Sequence, residues 1–143
     1  MDLLLFLAKA AAVLTVLYAG MNVHQLTSSY DYLVIKSEEF RAAVTEEGGL
    51  PRLARLNIIF YVLMPFAYLV LLHYCAMPSP FIAILILKFM ITGSLDLWVE
   101  RRILTGRAYS LAQHYLSRTD NLLNLASAVA VIRLLLTGSL ASG

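Results

Sequence analysis

Lys88, Thr92, Asp96 and Glu100 recur at intervals of four within an otherwise apolar stretch. Residues four apart lie one above another on a helix, so these four trace a single polar stripe. A charge near the middle of a bilayer costs about 2.5–3.5 kcal/mol on insertion scales, so such a stripe is expected to face other helices or a wet cavity. Asp96 and Glu100 stand beside Arg101 and Arg102, and the four together read as an interfacial polar cluster. Lys88 lies deeper. With it go Lys9, His73 and Arg133, one basic group from each of three further apolar runs. At 1.5 Å per residue they sit about 12, 10, 6 and 7 Å from one end of their runs, all on the same side. No carboxylate shares that level except Asp2 or the C-terminus at the surface. Long basic side chains there either snorkel to headgroups or converge on an anion, such as a lipid phosphate, a cofactor carboxylate or an acidic partner residue.

Other chemistry is thinly represented. Two axial histidines for haem would need similar depth, but His73 belongs to one side and His24 and His114 to the other. No spacing signature of a metal site occurs, and Cys75 is the single cysteine, which excludes an intrachain disulfide or a CxxC pair. Ser110 and His114 form an i,i+4 pair with no third group or oxyanion loop to complete a nucleophilic site. No catalytic residue, metal or cofactor is therefore assigned.

The elements that must carry these residues follow from composition. The chain has 143 residues, 60% hydrophobic and only 14% charged, with mean hydropathy +0.76. That is about half the charged fraction of an ordinary soluble domain. A span needs roughly 20 apolar residues, and four stretches qualify: about 3–21, 55–77, 80–99 and 121–137. The expectation is an all-α, polytopic membrane protein, one domain over residues 1–143, with four transmembrane helices in a bundle. The first run has no basic n-region and no cleavage signal, so it reads as a retained span rather than a signal peptide.

Orientation comes from the basic residues. Eight of the eleven lysines and arginines fall in segments 21–55 and 101–120: Lys36, Arg41, Arg52 and Arg55, then Arg101, Arg102, Arg107 and Arg118. Cytoplasmic loops are enriched in Lys and Arg, so both connections are expected in the cytoplasm and both termini outside it, in a bacterial inner membrane. With the charge explained this way, no basic stripe remains for nucleic acid.

Local signals punctuate the spans. Ser79-Pro80 is expected to cap the third span and Asp120 the fourth, with Gly138 as its stop. Gly48-Gly49-Leu50-Pro51 breaks the first loop, and Pro65 is expected to kink the second span. Tyr30, Leu33, Val34, Phe40 and Val44 fall at helical spacing in that loop and read as a cytoplasmic amphipathic helix against the bundle. Residues 107–118 suggest a second short helix.

Four spans with a long first cytoplasmic loop resemble in layout the membrane-associated eicosanoid and glutathione enzymes. Those have an Arg-x-x-x-Asn core followed by an acidic residue and a proline. The nearest text here is Arg52-Leu-Ala-Arg55-Leu-Asn57 with Pro65 later and no acidic residue between. The residues the resemblance would assign to glutathione are thus missing, and layout alone does not carry function.

The expected function is a small, non-catalytic membrane subunit or accessory of a larger complex, its partners being membrane lipid and other membrane subunits or further copies of itself. The alternative is an enzyme or carrier that binds a lipophilic anion (lipid phosphate, quinone-like or glutathione-type) at Lys9, Lys88 and Arg133.

Overall fold

The computed structural model describes residues 3–46 and 49–141. Among these there are no strands, and five helices follow in order: α1 Leu3–Thr27, α2 Tyr30–Glu46, α3 Gly49–Tyr74, α4 Ser79–Leu104 and α5 Leu111–Ala141. Four of them, all but α2, are long and apolar enough to cross a membrane. Each runs well past the stretch that hydropathy picks out, because helical hydrogen bonding continues into the polar flanks where water replaces lipid. The polar flank of α5 is the longest: it starts at Leu111, so residues 111–118 are its first turns and not a separate helix.

Helix ends are set by local chemistry. Ser110 and Gln113 form a reciprocal capping box at the start of α5, with the Ser110 amide donating to Gln113 Oε1 at 2.8 Å and the Gln113 amide to Ser110 Oγ at 3.3 Å. Ser29 Oγ likewise accepts the Tyr32 amide at the start of α2. Ser79 is not the N-cap expected of it: α4 begins at Ser79, with Pro78 before it and no side-chain cap. Asp120 is not a cap either, since it lies nine residues inside α5. Gly138 does not stop that helix, which continues to Ala141. The stop that does use glycine is at the end of α4. Gly106 has φ +80°, and Arg107 N–H reaches back to Arg102 C=O while Gly106 N–H bonds Ile103 C=O, a Schellman closure. Ala76 closes α3 in the same way at φ 57°. Gly49 opens α3, and Gly48 lies outside the described residues.

Pro65 acts one turn earlier than a simple kink would place it. Its missing N–H interrupts the i→i−4 ladder, and the backbone over Ile59–Leu63 widens into a π-turn in which Met64 N–H bonds Ile59 C=O. The bulge brings Tyr61 against Gly93 of α4, where a β-carbon would meet the Tyr61 ring at 3.7 Å.

The bundle has two distinct ends. At the turn end, near the Cys75–Pro78 connection, packing is dry: Ala11, Leu72, Met77, Leu85, Val131 and Leu135 form one buried cluster from α1, α3, α4 and α5 together with the turn. Burial also pushes the half-buried Cys75 thiol up from its ordinary value. At the loop end the interior is polar, and α2 lies there against α3 and α4. Of its residues, Ser37 and Val44 are buried and Leu33, Val34 and Phe40 half-buried, while Asp31, Glu38 and Glu39 are exposed. Tyr30 ties its start to the 105–110 connection by donating to Tyr109 C=O at 2.9 Å. Tyr109 is itself buried, which raises its phenol above the usual range against the opposing hydrogen bond to Ser117.

Candidate functional site

Where α1, α4 and α5 meet, six side chains form a continuous hydrogen-bonded network. Lys88 Nζ donates to Thr92 Oγ1 at 3.1 Å and more weakly to the Tyr18 hydroxyl at 3.4 Å. The Thr92 hydroxyl in turn donates to Asp120 Oδ1 at 2.9 Å. Asn124 Nδ2 donates both to Asp120 Oδ2 at 3.1 Å and to Asn22 Oδ1 at 2.6 Å. Asn22 Nδ2 in turn donates to the Tyr18 carbonyl at 2.7 Å. The ammonium of Lys88 also sits 5.8 Å from the ring centroids of Tyr18 and Phe89, a distance at which an aromatic face still attracts a cation. Lys88 and Asp120 make no direct ion pair. Thr92 relays between them, so a positive and a negative charge are held apart in one half-buried, hydrogen-bonded chain.

This corrects the expectation that no carboxylate shares the level of Lys88. The level was misjudged because Asp120 was placed at the membrane surface as a cap. Nine residues into α5, it stands about 13 Å inside the helix start.

Asp96 and Glu100 point elsewhere. With Gln25, Phe40, Tyr61 and Ile103 they line an open cavity of about 210 Å³ at the loop end, beneath α2. Glu100 Oε1 accepts from Asn57 Nδ2 at 2.7 Å, tying α4 to α3. Asp96 remains close enough to Asp120 and Lys88 to interact with them electrostatically. Arg101 is exposed, and Arg102 stacks its guanidinium 5.0 Å from the Trp98 ring centroid. The four residues read as an interfacial cluster therefore divide: the carboxylates line the cavity and the arginines turn away. The only ion pair among the described residues is the exposed Lys36–Glu39 contact at 2.6 Å, a surface i,i+3 pair of little energetic weight.

The four basic residues are not gathered into one pocket either. Lys88 turns inward to the network, whereas Lys9, His73 and Arg133 are all exposed on the bundle surface. None of the three hydrogen-bonds to Lys88. Asp2 lies outside the described residues.

Chemically, the network can hold a charge and its counter-charge, and it can move a proton along Lys88, Thr92 and Asp120. It does not form a path through the molecule. Beyond Lys88 the next polar contact is Thr15 to Tyr68 at 2.6 Å, and beyond that lies the dry cluster around Leu72. Ser110 is engaged as a helix cap, and the His114 ring packs edge-on against Tyr30 and Tyr109, so the Ser110/His114 pair does not have nucleophile geometry. No group of three or more His, Cys, Asp or Glu among the described residues could hold a metal ion.

Tyr18, Asn22 and Asp120 were missed as interior residues. A signal existed: Asp120 and Asn124 are four apart and continue a polar stripe up an otherwise apolar helix. Comparison with known protein families, characterised proteins and solved structures finds no match to the chain.

Proposed function

We propose that this chain is a small, non-catalytic subunit or accessory protein of a larger membrane complex in a bacterial inner membrane, with the loop end in the cytoplasm. The observation that carries the reading is Arg133. It lies inside the apolar part of α5, exposed, on a face it shares with exposed Leu122, Ala126 and Val129. Those positions follow one another at intervals of four, three and four, the spacing of a helix–helix seam, and Ala126 allows close approach. No Asp or Glu occurs in α5 beyond Asp120. A neighbouring transmembrane helix with a carboxylate at this depth would neutralise the guanidinium and cover the seam. The polar interior supports the same reading from the other side, since its groups are engaged with one another in holding α1, α4 and α5 together.

Solubilised in a mild detergent from its native membrane, the protein is expected to co-purify with other membrane polypeptides in defined ratio. Arg133→Leu should dissolve that assembly by about tenfold in retained partner, the equivalent of one lost intramembrane charge contact, while leaving the bundle folded. A homogeneous particle containing this chain alone overturns the proposal.

Orientation is tested separately. In a Cys75→Ser background, Lys36→Cys should stay unlabelled by a membrane-impermeant maleimide on intact cells and react once the membrane is permeabilised. Labelling of intact cells would reverse the topology.

A further inference from the structure

Between α3 and α4 an outward-facing groove of about 720 Å³ runs along the membrane-spanning surface, lined by Val62, Phe66, Val70, Ile86 and Met90 among others, with Tyr61 at one end and His73 at the other. We propose that it holds one acyl chain of a phosphate-bearing membrane phospholipid, whose headgroup lies at the turn end beside His73, at the height of Lys9.

Length gives the first argument. From Tyr61 to His73 the groove follows twelve residues of helix, about 18 Å. That is close to half of a hydrocarbon core of about 30 Å, the depth reached by the chains of one leaflet.

Charge gives the second. Helices α1 and α3 run antiparallel, pinned by the Thr15–Tyr68 contact at 2.6 Å. Lys9 lies six residues from that contact and His73 five, in the same direction, so their heights agree within about 2 Å. Both are exposed, and His73 is one residue from the end of α3. No Asp or Glu occurs in residues 3–27 or 49–95, so nothing in α1, α3 or the outer half of α4 competes for them. The His73 N–H at the groove mouth complements a phosphate there, and Lys9 at the same height on α1 adds positive charge to the same headgroup layer.

Shape decides against a helix as occupant. Close helix packing in a membrane uses Gly, Ala or Ser at the contact, and the groove lining has none of these. Its walls are bulky, and at one end the groove meets the π-turn at Ile59–Leu63, where Tyr61 and Val62 stand. A thin, flexible chain fits such a channel where a second backbone does not.

The test uses the full chain in vesicles containing phosphatidylglycerol with a diazirine near the end of one acyl chain. Photolabel is expected on the peptides around Val62–Val70 and Ile86–Met90, competed by unlabelled phosphatidylglycerol but not by diacylglycerol. Val70→Trp should lower groove labelling severalfold, because the indole occupies the channel that the chain would fill and removes its packing contacts. Lys9→Ala with His73→Ala should lower it in the same direction, with labelling at Leu14 and Leu17 of α1 unchanged. Should Val70→Trp fail to fold, the competition on the unaltered chain decides. Label spread equally over the outward faces of α1 and α5, without competition, would mean only a bulk lipid shell and overturn the proposal. So would groove peptides that cross-link to another polypeptide or a second copy, an outcome compatible with a membrane complex but not with a bound lipid.

Discussion

Replacing Asp120 by Ala is expected to destabilise the bundle by about 2 kcal/mol, as the loss of the carboxylate leaves Lys88 without its counter-charge and two donors without their acceptor. Thr92 loses the partner at 2.9 Å, and Asn124 keeps only its bond to Asn22. Lys88 is then left with the neutral hydroxyls of Thr92 and Tyr18 as its acceptors. The diagnostic comparison is the double variant. Lys88→Met with Asp120→Ala removes both charges and should recover at least half of the loss, because much of the penalty is an uncompensated ammonium and not a lost contact. Unfolding of the four chains by denaturing-detergent titration measures the cycle directly. Equal stability of Asp120→Ala and the unaltered protein would show that the network contributes nothing. A double variant no better than the single one would show that Lys88 and Asp120 are uncoupled.

Leu72→Ala is expected to cost about 2–3 kcal/mol, at the low end of the range for a core leucine. Leu72 is completely buried in the cluster from α1, α3, α4 and α5. In a bilayer the alternative environment is as apolar as the core, so the transfer contribution that dominates in water is nearly absent. What remains is the cavity: lost dispersion contacts that the packed neighbours cannot restore. Val62→Ala, at a position 57% exposed, supplies the contrast and should be within about 0.5 kcal/mol of neutral. Thermal unfolding in nanodiscs compares the two. If both substitutions cost the same, the turn-end cluster is not a packed core.

The sequence made the architecture easy to read and the interior hard. Four long apolar runs and two arginine-bearing connections announce a helical membrane protein through bulk composition, which depends on no side-chain orientation. The position of Asp120 could not be obtained that way. Hydropathy locates where a helix becomes apolar, not where its hydrogen bonds begin, and in α5 these differ by ten residues because the capping box at Ser110 starts the helix in polar surroundings. The same gap explains Ser79, a good cap by residue type whose backbone is already helical. Asn57 and Asn124 both donate between helices, to Glu100 and Asn22. Their partners were not foreseen, since partner choice depends on the rotation of each helix about its own axis. Rotation also separates Lys88, which turns inward to Thr92, from Lys9, His73 and Arg133, which are exposed; facing direction cannot be read from the position of a charge within an apolar run.

The most extensive helix packing in the molecule joins its first membrane-spanning helix to its last, with Asn22 answering Asn124 and Arg118 reaching the Leu26 carbonyl at 2.9 Å. These partners stand 102 and 92 residues apart, so the bundle closes only when distant segments of the chain have met, a non-local step that slows folding relative to the formation of each helix.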